Sequence, residues 1–417
     1  MTVKFELSDK PRLRSPLDLR IESVEGVEAL LIRCPVGISS TPLFLNPAVV
    51  PIVQALDGDK TLGQIREQFL SQGVPQDIIF ELLELLSENF YLDNTSFWRA
   101  NRDIRHKYSL SSRRREAFAG ISYPVDRVRL ESLVDGYLEM GQRSPDKVLR
   151  SEKLAGLITP HIDYTRGGET YGCAYQALKG QQHDLYIVLG IAHQFSPYLF
   201  HLARKHYESP MGPALAEFNF IDRLAMRYGK ERSFADEILH KQEHSIELQI
   251  PFFRRVATCG NIVPILVGSF HQLLMSNEPP SSVEAYESFA ASLAELLLVQ
   301  RRQGASICFI CAVDMAHIGR SFGDDGNLTP NILKAIEGRD KLYLQAIANR
   351  DKDGLFDHIR EDYDRRRVCG YPAVYTMLDV MDRLGMKTQG KLLKYDQAVN
   401  YNTDCAVTFA GMGLVEV

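Results

Sequence analysis

The 417-residue sequence lacks any run of the roughly 18 or more uncharged apolar residues that a membrane helix needs, and its opening "MTVKFELSDKPRLR" has no apolar core of the kind a secretory signal carries. It also lacks an excess of positive charge. The 48 Lys and Arg against 53 Asp and Glu leave a formal net charge of -5, which argues against a general nucleic-acid or anionic-membrane surface. Cysteine is sparse and odd in number, seven residues scattered at 34, 173, 259, 308, 311, 369 and 405. No disulfide framework is expected from that pattern, and a reducing, cytoplasmic setting fits it. Missing too are a GxSxG nucleophile elbow and a GxxxxGK run ending in Ser or Thr, while "RGGETYG" does not have the spacing of a dinucleotide-binding fingerprint.

What is present is an ordinary globular composition, 45% hydrophobic and 24% charged, in a chain long enough for two or three domains with cores of their own. Residues 1–100 carry short strand-like pieces, "ALLIRCP" and "PLFLN", and then "VVPIVQALDGDKTLGQIREQFLSQGVPQDIIFELLELLSENFYLD", where apolar residues recur at helical spacing through three segments. Turns at "DGDKT" and "SQGVPQ" separate them, with Thr61 and Gln76 placed to begin the next helices. Residues 101–150 read as a charged linker around one amphipathic helix, "DRVRLESLVDGYLEMG", and the basic run "RANRDIRHKYSLSSRRRE" reads as solvated. Across 151–417, strand-like "KLAGLITP", "DLYIVLG", "NIVPILVG", "ASICFICAVD" and "CAVTFAGMGLV" alternate with helix-like stretches, which predicts an α/β domain. Cys308 and Cys311 are spaced as CxxC but lie within one of those strands, so they read as a core pair.

In α/β proteins ligands gather where strands end. His161 follows "LAGLITP", His193 follows "LYIVLGIA", Asp314 and His317 follow "ICFICAV", and His244 opens "HSIELQIPFF". Each alone is explained as well by capping or a structural hydrogen bond. Their joint placement at one rim points to metal binding and proton transfer, for which imidazole is suited near neutral pH. Glu243 or Glu247 can orient an imidazole, although Glu247 reads more simply as solvent-exposed. Gly167 and Gly168 are expected to turn the backbone beneath the site and open a helix with Glu169 in its first turn, and Gly190 to bend the chain before His193. His106, His183, His201, His206, His240, His271 and His358 have no comparable strand before them and are assigned to the surface.

The strings "PHIDYTRGG", "LGIAHQF", "EHSIELQIPFF", "VPILVG", "VDMAHIG" and "CGYPAV" occur in this order, and by them residues from about 150 to 417 resemble MEMO family proteins, whose bacterial members are called AmmeMemoRadiSam system protein B. The resemblance implies a fold like that of the class III extradiol ring-cleavage dioxygenases, which hold non-haem Fe(II) with two histidines and a glutamate. It makes His161 and His193 metal ligands, puts Cys369 of "VCGYPA" where the dioxygenases have their carboxylate, gives His317 the acid/base position, and sets Asp314 and His244 in the same cleft. A thiolate is softer than a carboxylate, favours copper(I) or zinc and is oxidisable, so ring cleavage is not expected. A His/His/Cys set still leaves positions open on iron or copper, with zinc a further candidate. The arginines before Cys369 and the Gly-Tyr-Pro after it place it in a loop, where positive charge lowers a thiol pKa.

Residues 22–95 resemble the winged-helix fold of PqqD-like peptide-recognition domains, which implies a grip on a peptide or on a radical SAM partner enzyme. The leading expectation is therefore a metal-dependent redox or dioxygen-using accessory enzyme working beside a radical SAM enzyme on a peptide, protein or small aromatic molecule. The other is a non-catalytic peptide- or protein-binding module that retains the cleft, as the resemblance to animal MEMO proteins and their phosphotyrosine-bearing partners implies. No nucleic-acid or membrane partner is expected.

Overall fold

The computed structural model describes residues 4–24, 26–143 and 152–417, and the chain divides into two compact units at Ser111/Ser112. In the first, β1 (Asp18–Val24), β2 (Val27–Arg33) and β3 (Leu43–Leu45) make an antiparallel sheet in that order. Leu30, Leu31 and Ile32 of β2 are buried, as are Ile52 and Val53 of α1 (Val50–Gln54), Leu62 and Ile65 of α2 (Leu62–Leu70), and Ile79, Leu83 and Leu86 of α3 (Gln76–Glu88). The helix starts fall where the sequence places them. Thr61 and Gln64 cap α2 reciprocally, Gln64 N donating to Thr61 Oγ1 (3.3 Å) and Thr61 N to Gln64 Oε1 (2.9 Å).

The stretch expected to be a linker differs from that reading. Thr95–Leu110 forms α4, capped by Asn94, with Phe97 its buried residue and its basic side chains on a solvated helix rather than a coil. Arg114, from the end of the same basic run, is fully buried. The unit boundary is therefore at 111/112 and not at 100, and the amphipathic helix α5 (Arg127–Gln142) belongs to the second unit, with Leu130, Val134 and Leu138 buried. The other expected boundary, at 150/151, lies outside the described residues.

The second unit is built on one mixed sheet. Its strands are β4 (Leu154–Thr159), β5 (Leu185–Ile191), β6 (Phe200–Leu202), β7 (Asn261–Val267), β8 (Ile307–Ala312), β9 (His317–Ile318), β10 (Thr388–Asn400) and β11 (Cys405–Glu416). They lie in the order β9-β11-β4-β8-β5-β7-β6, with β10 on β11. The four central strands β4, β8, β5 and β7 are parallel, and β11 and β6 flank them antiparallel. Every residue of β4, β5 and β8 is buried, as expected of parallel strands covered on both faces, which explains why they read as continuous apolar runs. Cys308 and Cys311 are buried there as the core pair expected, and burial pushes both thiols up. The helix α6 (Tyr164–Leu178) packs on β4, β10 and β11.

Two glycine readings change. Asp163 caps α6, accepting from Arg166 N (3.2 Å), so the helix starts three residues before Gly167. Gly168 lies inside it, where a Cβ would stand 2.2 Å from the Tyr137 ring of α5, so it serves close helix packing rather than a turn. Gly190 lies within β5, where a Cβ would stand 2.6 Å from both Ile246 Cγ1 and Ser245 Oγ; it admits a neighbour rather than bending the chain. Three histidines assigned to the surface, His183, His201 and His240, are buried. Distant segments supply their partners where these are formed: Ser306 Oγ for His183 (2.9 Å), and Tyr207 Oη (2.6 Å) and the His201 carbonyl (3.0 Å) for His240, which lies in a short 3-10 helix. Among the described residues no helix is long and apolar enough to cross a membrane.

Candidate metal centre

Three parallel strands deliver the site at their C-terminal ends. His161 stands two residues past β4, His193 two past β5 and Asp314 two past β8. Asp314 Oδ1 accepts the His161 backbone N–H (3.0 Å), tying two strand ends together. His161 Nδ1 lies 2.9 Å from the Ala312 carbonyl; a carbonyl only accepts, so Nδ1 carries the proton and Nε2 keeps its lone pair.

The space left by Gly190 admits a one-turn helix, α7 (His244–Glu247). Ser245 Oγ fixes it to the end of β5, accepting from Ile191 N (3.0 Å) and donating to Ile191 O (3.1 Å). Glu243 caps α7 and does more. Besides Ser245 N (2.9 Å), its buried carboxylate accepts His193 N (3.1 Å), and it lies 3.1 Å from Nδ1 of both His193 and His244. The two rings stack at 4.8 Å and 19°, and His161 sits edge-on to both at 5.0 and 5.1 Å. Ligand nitrogens of His161, His193 and His244 all lie within 4.8 Å of one another, so these residues can hold a metal ion.

Cys369 lies beside the three histidines that form the metal-capable group. Its Sγ lies 3.4 Å from His161 Nε2 and donates to the Asp314 carbonyl (3.6 Å). His317 is tied to the segment that leads into Cys369: its Nδ1 lies 3.1 and 3.0 Å from the Met315 and Arg367 carbonyls, so its proton too is committed to Nδ1.

Burial governs the electrostatics. It drives His161 well below the ordinary imidazole range, brings His317 down to about 4 and lifts Asp314 to about 6. Burial pulls His193 down most strongly of any one influence, but Glu243 and Cys369 together outweigh it and hold His193 well above its usual value. Glu243 itself, raised by burial, is brought well below the carboxylate range by His193 and His244. The thiol of Cys369 departs from the sequence expectation: burial raises it, against the opposing pull of His193. The two nearest of the three arginines before it are engaged elsewhere, Arg366 with Asp362 (2.8 Å) and Arg367 with Asp324 (2.6 Å).

The six residues singled out from sequence thus meet at one rim. Glu243 was legible only as a neighbour of His244; that it also serves His193, fifty positions away, was not. Glu247 is fully buried rather than exposed, because Arg114 pairs with it.

Fold and rim together define an α/β protein whose histidine cluster can hold a metal ion. The chain belongs to the Memo-like family: that family's profile, described as Memo-like protein, matches residues 114–413, which contain all six site residues. A MEMO1 family protein of Aquifex aeolicus is 25% identical over 388 residues, covering 92% of this chain and 96% of the relative. MEMO1 family proteins of Thermoplasma volcanium and Pyrococcus abyssi are 24% and 27% identical, covering 70% and 71% of this chain and 97% of each relative.

Proposed function

We propose that the chain is a non-haem metal-dependent accessory enzyme of redox or dioxygen-using type, with one iron or copper ion held by His161, His193 and Cys369. The 3.4 Å between Cys369 Sγ and His161 Nε2 carries this reading. A sulfur at about 2.3 Å and a nitrogen at about 2.0–2.1 Å from one tetrahedral ion stand about 3.5 Å apart. The donor chemistry agrees: His161 keeps its Nδ1 proton on a carbonyl, and His193 has its Nδ1 on a carboxylate, the outer support a ligating imidazole needs. When bound, such an ion would supply Lewis-acid and one-electron chemistry.

The protein's own residues divide the remaining work. Glu243 fixes two rings at once and His161 is held by Ala312. His317, with its pKa near 4, is neutral at pH 7 and accepts a proton at Nε2, the nitrogen its carbonyl partners leave free. Asp314, lifted to about 6, positions a ligand and the His161 backbone together. Elemental analysis of anaerobically purified protein tests the proposal. Near-stoichiometric iron or copper, lost in both His161→Ala and Cys369→Ser, is the expected result. A wild type without transition metal even after reconstitution would overturn it and leave a peptide-binding cleft.

The same reading gives residues 1–111 the task of gripping a peptide or radical SAM partner. In its support, β1 is an edge strand on which Leu19 and Ile21 are exposed, the kind of edge to which an extended peptide adds. The sole tryptophan of the sequence, Trp98, lies in this unit and is exposed, so its fluorescence during peptide titration of the full chain reads binding there.

A further inference from the structure

The segment between α4 and α5 carries a fully buried arginine, Arg114, near its start. Arg114 donates from Nε to the His240 carbonyl (2.8 Å) and from Nη2 to the Glu243 carbonyl (2.8 Å), and Nη1 pairs with Glu247. The Glu247 carboxylate, itself at 0% exposure, also accepts from Ala117 N (3.0 Å), Phe118 N (2.8 Å) and the Tyr123 hydroxyl (2.5 Å). Burial above all, and then Glu247, hold the Tyr123 hydroxyl protonated, so it is a donor throughout the physiological range. Gly120, at φ +81°, closes the segment: its N–H donates to Tyr123 O (2.7 Å), and Ser122 N donates to Phe118 O (2.9 Å). At the end of this loop the Phe118 ring meets the His244 ring edge to face, centroids 5.7 Å apart at 64°.

A buried ion pair is weak evidence for stability, because desolvating two charges consumes most of their attraction. The residues it organises say more. Glu247 closes the one-turn helix that His244 opens, and the chain that Glu247 captures returns an aromatic edge to His244. We infer that residues 115–123 form a strap pinned by Glu247, and that Phe118 on it is a positioning residue that holds the His244 ring stacked on His193. Glu243 sets where His244 Nδ1 goes; Phe118 sets the plane of the ring. This rests on the side-chain geometry alone and does not require the ion.

The test uses the full chain as purified and two readouts: hydrogen–deuterium exchange across residues 115–123, and carbethoxylation of His244 relative to His193, followed by peptide mapping. In Phe118→Ala, His244 reacts several-fold faster while His193 does not, and Phe118→Tyr restores the wild-type rate. In Glu247→Gln the amides of Ala117 and Phe118 lose protection and His244 behaves as in Phe118→Ala. A wild-type rate at His244 in Phe118→Ala overturns the positioning role, and unchanged exchange in Glu247→Gln overturns the pin. Should Glu247→Gln fail to fold, the half-buried Phe118 still decides the positioning role.

Discussion

Replacing Glu243 by Gln exchanges one carboxylate oxygen for an amide NH2 and should be felt by two histidines. The carboxylate lies 3.1 Å from Nδ1 of His193 and of His244, and both nitrogens donate to it. Both carboxylate oxygens lie 3.1 Å from His193 Nδ1, so whichever one becomes NH2 puts a donor against that ring, and an imidazole that accepts from it carries its proton on the remaining nitrogen. That nitrogen stops being a lone-pair donor, and in His193 it is the one that faces Cys369. Losing a carboxylate behind a ligating imidazole costs 10–100-fold in metal affinity, or about 1.4–2.8 kcal/mol. Calorimetric titration of metal-stripped protein with Co(II) measures this.

The pH dependence of the same variant follows from the two shifts. Glu243 is lowered, so its contribution to stability is present above its unfolded value near 4.3 and fades as pH falls through the folded one. His193 is raised, so its contribution is full below about 6.5 and fades as pH rises through its folded value. Glu243→Gln should therefore melt below wild type most clearly between about pH 5 and 7, with the gap closing in alkali. The loss is about 1.5 kcal/mol, the low end for a charge-assisted bond, because the His193 side chain is 32% exposed. Unchanged Co(II) affinity together with a pH-independent melting difference would refute the shared-carboxylate argument.

Three further outcomes follow from other contacts. Burial raises Asp314 to about 6, so its contribution is present below its unfolded value near 3.9 and is lost as pH rises through 6; metal-stripped Asp314→Asn should melt above wild type at pH 8, by about 3 kcal/mol, and lose that advantage by pH 4. Equal melting at pH 8 would contradict the desolvation argument. Gly190→Ala drives a Cβ to 2.6 Å from Ile246 and Ser245 and should cost about 1–3 kcal/mol in denaturant unfolding while weakening Co(II) binding, since α7 carries His244. Gly172→Ala should destabilise more than Gly168→Ala: the first meets the Tyr137 backbone oxygen at 2.0 Å, the second the Tyr137 ring, which can swing aside, and a reversed order in thermal melts would count against this packing of α5 on α6.

The parallel centre was legible because β4, β5 and β8 are buried along their whole length and therefore print as apolar runs with a polar residue just beyond. His161, His193 and Asp314 could be picked out by that rule alone. His244 could not be placed by it, since what brings α7 to the rim is an absent side chain at Gly190. Burial of Glu247 was hidden for a similar reason: its partner Arg114 comes from a basic run whose other members are solvated, and one arginine among several carries no mark of being the buried one. The Cys369 thiol was misjudged because charge was counted along the sequence, whereas Arg366 and Arg367 direct their guanidinium groups to Asp362 and Asp324.

The buried charges near the rim form one connected path rather than isolated pairs. Arg114 pairs with Glu247 and also holds the Glu243 carbonyl; the Glu243 side chain holds His193 and His244. Buried charges are tolerated when each has fixed partners, and a group with fixed partners has little freedom to rotate. The rim therefore reaches its geometry before any ligand arrives, with the orientation of His244 constrained by Glu243 on its ring nitrogen and by Phe118 on its face. His161 is constrained separately, through Ala312 and Asp314 on the neighbouring strand. Two independent supports converging on donor atoms within 4.8 Å of one another mean that loosening either one should degrade metal affinity without unfolding the sheet that carries both.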